Sequence, residues 1–220
     1  MKTATAGTKQ RRRAGGAPLK RARSGVAWRR DPAGRKERLL SAASKLFGIH
    51  GYATVTTAMI ADAAGVSEGI IYHYYRSKPS LLREVAARYG RGFADAMFSG
   101  TSPADAVPPP EAVIRRAFAY VRFSDPSFGL FLLSDGPGDS GAAKQANREA
   151  VVARLGELFE IWKRRGDIAA IDSRILAALC FGLVEAGLRE CYGRGTPSSE
   201  VEETYVNEVS RCIRAMLGVA

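Results

Sequence analysis

The chain has 220 residues, 46% hydrophobic and 25% charged, with 33 Lys and Arg against 22 Asp and Glu. That balance suits a globular protein large enough to bury a core. It excludes a membrane span, because the longest apolar run, Ile175 to Val184, stops at Glu185, well short of the roughly 20 residues a spanning helix needs. The three cysteines, Cys180, Cys191 and Cys212, are too few and too far apart for a disulfide framework or a zinc site. All three fall on expected apolar helix faces, which predicts reduced, buried thiols.

Charge is unevenly placed. Residues 1–34 hold ten basic side chains and one acid, residues 35–90 eight and four, and residues 91–220 fifteen and seventeen. A basic front and a near-neutral rear suit a polyanion met by the front alone, although a basic tail also serves solubility by itself. The N-terminus lacks the apolar stretch of a secretory signal, so a cytoplasmic location is expected.

In chain order, residues 1–34 are rich in Gly, Ala, Arg and Lys and are expected to be a disordered basic tail. From Arg35 a helical period begins, with Leu39, Ala43, Leu46, Phe47 and His50 on one buried face and Gly51 at its end. Short helices follow Thr56-Thr57 and Ser67. A longer fourth helix is expected from Lys78 to Ser99, with Pro79 tolerated in its first turn. The linker Gly100 to Pro110 ends in three prolines and cannot continue a helix. Further helices are expected at 110–124, 126–135, 142–166, 172–193 and 199–217, the last opened by a capping box of Ser199 and Glu202. No strand pattern appears. The expected fold is all-α with about nine helices: a three-helix unit at 35–85 and a larger helical domain at 86–220.

The segment Thr57 to Arg76 carries the functional signal. Two short helices meet at a turn with Gly65, which tolerates positive φ. Ala61 and Ala64 permit close packing, and Ile60, Val66 and Ile71 are spaced to fill the wedge. Ser67 is expected to cap the third helix, whose outward N-terminal end suits phosphates and base edges in a major groove.

The flanks add Leu39-Leu40-x-Ala42-Ala43-x-x-Leu46-Phe47-x-x-x-Gly51-Tyr52-x-Thr54-x-Thr56-Thr57 before this segment and Ile70-Ile71-Tyr72-x-Tyr74-Tyr75-x-Ser77-Lys78 after it. Together they resemble the helix-turn-helix DNA-binding domain of the TetR family of transcriptional regulators over residues 35–85. The resemblance implies a cytoplasmic, nucleoid-bound bacterial homodimer on a palindromic operator, a repressor released by an unidentified small-molecule effector. It further implies that Thr57 caps the second helix and touches a phosphate, and that Glu68, Gly69 and His73 lie on the exposed recognition face. Tyr72 and Tyr74 would meet phosphate or thymine methyls, and Lys78 a phosphate. Ser67 and Arg35, with Arg29 and Arg30 of the tail, complete the expected DNA-binding set. The tail would add salt-dependent affinity along the minor groove or phosphates.

Two departures stand out. Tyr74-Tyr75 replaces the family's usual His-Phe pair. Glu68 is acidic on a DNA-facing surface, where it either accepts from cytosine N4 or, the favoured reading, steadies the helix N-terminus.

In the rear, Leu176, Cys180, Leu183 and Gly187 form one stripe, and Val201, Tyr205, Val209, Cys212 and Met216 another. The two stripes either pair with a second subunit or pack within the chain. Phe93, Met97, Phe118, Val121, Phe128, Phe131, Phe159 and Trp162 are candidates to line an effector cavity, although each taken singly suits plain core better than ligand contact. Arg116 and Arg122 would face an acidic ligand if they are not simply surface side chains.

The two histidines, His50 and His73, both fall in the front unit, and no nucleophile elbow, phosphate-binding glycine loop or metal spacing is present. No catalytic residue, metal or cofactor is therefore expected. The rival readings are a non-specific nucleic-acid or scaffold protein driven by the tail, or an enzyme.

Overall fold

The computed structural model describes residues 32–134, 140–193 and 195–219. The basic tail with Arg29 and Arg30, and most of the break expected at 135–141, lie outside the described residues.

Among those residues the chain forms nine helices and no strand: α1 (Pro32–Thr54), α2 (Thr57–Ala64), α3 (Glu68–Tyr75), α4 (Lys78–Met97), α5 (Pro110–Phe123), α6 (Pro126–Leu133), α7 (Ser140–Arg165), α8 (Ser173–Tyr192) and α9 (Ser199–Leu217). The starts follow local chemistry. Asp125 and Asp172 cap α6 and α8 through their carboxylates, and Pro79, Pro110 and Pro126 sit in first turns, where a missing amide costs nothing.

Three local expectations need correction. His50 is exposed, because the chain leaves its helical path at Gly51 (φ 74°, ψ 163°) and ends the buried stripe at Phe47. The cap of α9 is Ser198, whose hydroxyl accepts from the Val201 amide; Ser199 is already the first helical residue. Cys212 is exposed, whereas Cys180 and Cys191 are buried.

The interior divides into two clusters along α4. Leu81, Leu82, Val85, Ala86 and Tyr89 pack with Leu39, Phe47, Ile60 and Ile71 of the front helices. One turn further, Phe93, Ala94 and Met97 join a rear core with α5, α7, α8 and α9. The change of core falls inside a continuous helix, so the two parts share α4 rather than meeting at a linker. Phe128, Leu132 and Ala143, distant in sequence, belong to the front cluster.

The second join is α1 against the head of α6. Gly48 makes it possible: a Cβ there would lie 2.6 Å from the backbone nitrogen of Phe128 and the carbonyl carbon of Ser127, closer than atoms can approach. Beside it the buried Ser44 hydroxyl donates to the Asp125 carboxylate. At the rear, α9 is tied to α5 by Arg115–Glu203, Arg122–Glu202 and Arg214–Glu111 ion pairs; such exposed pairs fix register more than they stabilise.

The stripe of Leu176, Cys180 and Gly187 is buried within the chain, with Gly187 against the Val209 side chain. Its pairing is thus intrachain. The exposed apolar side chains here are Ile175 and Leu179 on α8 and Val201 on α9, at 57%, 54% and 44% exposure.

Candidate nucleic-acid interface

An eight-residue helix is too short to hold its shape alone, so α2 and α3 are held by their caps and buried sides. Thr56, extended at φ −104° and ψ 159°, caps α2, its hydroxyl accepting from the Met59 amide at 3.2 Å. The expected cap, Thr57, is the first helical residue instead. At the other end Gly65 adopts φ 66° and ψ 37°, and the Gly65 and Val66 amides donate back to Asp62 and Ala61 at 3.0 Å. Only glycine enters this left-handed corner without strain.

Beyond the corner, Ser67 stands at the N-cap of α3 with extended backbone but makes no side-chain capping bond. Its carbonyl accepts from the Ile70 amide. Ile60 and Ile71 are fully buried and Ala61 and Ala64 nearly so, while Val66 packs at the edge of the cluster. Each large aliphatic side chain so buried contributes about 1.5–3 kcal/mol. Tyr75 is buried too, and burial, aided by Glu84, pushes its hydroxyl up to about 12.

With Ile71 and Tyr75 turned inward, the opposite face of α3 is left to solvent. Ser67, Glu68, Gly69, Tyr72 and His73 are all exposed. A Cβ built on Gly69 would have no other group within 4 Å, so its lack of a side chain leaves a smooth patch on this face. Tyr74 is half-buried, with its ring edge-on to His73 at 5.2 Å. Thr57 reaches across from α2: its hydroxyl donates to Glu68 and lies 3.3 Å from the Tyr72 hydroxyl.

The chain leaves α3 through Arg76, at φ 57°, an unusual conformation for a side-chain-bearing residue. Ser77 then caps α4 by accepting from the Ser80 amide at 3.3 Å. This places Lys78 in the first turn of α4, its ammonium 4.2 Å from the centre of the Tyr52 ring. Arg35 lies half-buried in the first turns of α1.

Sequence reasoning quoted Thr56, Tyr52 and Ser77 among the residues that carry the resemblance but gave them no role. The Thr56-Thr57 pair left two candidate caps one residue apart. The lysine–tyrosine contact joins residues 26 apart in number, and no local pattern announces it.

The eight candidate cavity residues do not surround one space. Phe93 and Val121 line one cavity of about 30 Å³ with Tyr89, Asn147 and Phe181. Met97, Phe159 and Trp162 line another of about 30 Å³, walled by apolar atoms from α4, α5, α7, α8, α9 and the α4–α5 linker. Phe118 is buried against Tyr192 and lines neither. Phe128 and Phe131 stack on each other in the front cluster. The indole nitrogen of Trp162 is buried with no acceptor among the described residues. Arg116 donates to the Met97 carbonyl, and Arg122 is paired with Glu202. Among the described residues no cluster could hold a metal ion, and no helix is long and apolar enough to cross a membrane.

Comparison with known proteins points the same way. Residues 39–85 match the family model for bacterial regulatory proteins of the tetR family. The transcriptional repressor KstR2 of Rhodococcus jostii is 42% identical over 65 residues, 30% of either chain. The transcriptional regulator BetI of Proteus mirabilis is 46% identical over 66 residues, 29% of this chain and 32% of BetI. The matched segment thus spans less than a third of these relatives. In fold the likeness extends further. Salmonella enterica GusR matches at a TM-score of 0.62 over 86% of this chain and 97% of its own, with 19% identity. FadR of Bacillus subtilis, solved in complex with stearoyl-CoA, matches at 0.59 over 84% and 99%, with 18% identity. Shared sequence is thus confined to the front helices, where the chain is similar to bacterial regulatory proteins of the tetR family, and the body shares the fold of these solved structures.

Proposed function

We propose that the chain is a sequence-specific transcriptional regulator, a repressor acting as a homodimer on a palindromic operator and released by a small-molecule effector. The observation that carries this reading is the exposed face of α3, with Ser67, Glu68, Gly69, Tyr72 and His73 open to solvent on a helix anchored by Ile71 and Tyr75. Thr57, Tyr74 and Lys78 flank that face, and Arg35, with Arg29 and Arg30 of the basic tail, is assigned to the same DNA-binding set. In this arrangement α3 enters the major groove and Thr57 and Lys78 hold phosphates. The protein works in the bacterial cytoplasm, on the nucleoid, without catalysis.

Paired half-sites require two copies. The exposed Ile175 and Leu179 of α8 supply the apolar surface that a second copy would cover. Effector binding belongs to the cavity of Met97, Phe159 and Trp162. Its apolar walls and the unmet Trp162 N–H suit an apolar molecule with one hydrogen-bond acceptor. At about 30 Å³ the space holds little more than a water, so the effector enters by widening it. Helix α4 carries Met97 at the cavity and Lys78 at the DNA surface, about 30 Å apart along its axis. Displacing one end re-aims the other and alters the spacing of the two recognition helices.

The test is selection of genomic fragments on the purified protein, followed by competition with random DNA. A regulator prefers its site by roughly 10³ or more; equal binding to all duplexes supports the tail-driven, non-specific alternative. Deleting residues 1–30 measures the tail's share, which appears as a shallower dependence of affinity on salt.

A further inference from the structure

The first turn of α3 carries an acid on the surface that the proposed function turns toward DNA. Glu68 is exposed, and its carboxylate accepts from the Thr57 hydroxyl at the head of α2. The Tyr72 hydroxyl, one turn along α3, lies 3.3 Å from the same Thr57 oxygen. A threonine hydroxyl has one hydrogen. Since Thr57 gives that hydrogen to Glu68, Tyr72 is the donor in the second contact, and donation runs from Tyr72 to Thr57 to Glu68. Among the described residues no backbone amide of α3 donates to Glu68, so its carboxylate is engaged across the turn and not as a helix cap.

We propose that Glu68 is a specificity-determining residue that selects cytosine: its carboxylate accepts from the N4 amino group of one cytosine in each half-site, once Thr57 has turned its hydroxyl hydrogen to a backbone phosphate. This rests on the reading that α3 lies in the major groove. A phosphate oxygen only accepts, so docking Thr57 takes the hydrogen that Glu68 holds in the free protein. A carboxylate stripped of its donor at a closing interface must find another or weaken binding. The major-groove edges of guanine and thymine offer acceptors, N7, O6 and O4, which repel it. Only cytosine N4 and adenine N6 donate. Adenine N6 stands beside N7, a further acceptor, whereas cytosine N4 stands beside a C–H edge. In a C·G pair the carboxylate meets a neighbouring lone pair on one side only, guanine O6, whereas in an A·T pair adenine N7 and thymine O4 flank the donor on both sides. Glu68 acts mainly by rejecting other bases, and the phosphate contact of Thr57 arms it.

The experiment is selection from a random-sequence duplex pool with the full-length wild type, Glu68→Gln, Glu68→Ala and Thr57→Val, with circular dichroism melts to show that each is folded. The wild-type pool is expected to carry cytosine at one symmetric position, preferred by about tenfold or more. Glu68→Ala loses that preference, keeps the others and gains affinity for random DNA, while Glu68→Gln relaxes it toward bases that present acceptors, because its amide also donates. Thr57→Val weakens all sites alike and keeps the cytosine. If the Glu68 variants select the same base at every position as the wild type, or the position they release holds another base, the assignment is overturned. If the wild type selects no sequence at all, the proposed function falls first and this inference with it.

Discussion

Ser44, buried in α1, donates its hydroxyl hydrogen to one carboxylate oxygen of Asp125, while the other oxygen accepts from the Phe128 amide at the start of α6. One carboxylate thus caps α6 and holds α1, the first helix of the front unit. Replacing Ser44 with Ala leaves one oxygen of the half-buried Asp125 carboxylate without its donor, a loss of about 2 kcal/mol and a fall in Tm of roughly 4–8 °C for a chain of this size. Calorimetry checks it. An unchanged Tm means that Asp125 finds another donor at no cost.

Two glycines test the difference between packing and access. Gly48→Ala drives a methyl group into the backbone at Ser127 and Phe128, which cannot swing aside as a side chain does. A loss of about 1–3 kcal/mol is expected from denaturant melts. Gly69→Ala meets nothing in the protein, so α3 gains up to about 1 kcal/mol of helix stability. Operator affinity falls nonetheless if the duplex closes over that patch, and opposite changes in the two measurements identify it as a contact face.

Lys78 lies over the Tyr52 ring at the start of α4. Lys78→Ala is expected to weaken binding to all duplexes alike and to reduce the slope of log K against log salt by about one per subunit. A loss confined to particular sequences means that Lys78 reads a base.

Burial holds the Cys180 thiol up at about 12 and, with Glu202 nearby, Cys191 at about 11, against an ordinary 9.0. Both thiols should resist alkylation in the folded protein at pH 8 and react on unfolding. Because the folded chain keeps these protons longer than the unfolded chain, stability is fully present below about pH 9 and is lost as pH rises toward 12. Melts between pH 8 and 11 should show Tm falling, and Cys180→Ala should flatten the decline.

How far the residues spoke for themselves varies along the chain. Around Gly65 the pattern was legible because it is local: a left-handed corner demands glycine, short helices demand small contact residues, and both sit within 20 positions. The side chain that caps α2 was not legible, because Thr56 and Thr57 are chemically alike and only the observed backbone angles separate them. The stripe on α8 misled for another reason. A helical period marks a buried face without naming what buries it, and Gly187 meets Val209 of its own chain.

By itself the amino-acid sequence determined the helices, their order and the outward face of α3, since periodicity and turn chemistry act over a few residues. Tertiary structure alone decided what those helices hold together: the shared α4, the clasp of Ser44 on Asp125, the scattering of the aromatic residues over two small cavities and plain core, and Thr57 as the keeper of Glu68. Such relationships join residues far apart in number through distances of a few ångströms, and neither spacing nor composition carries that information.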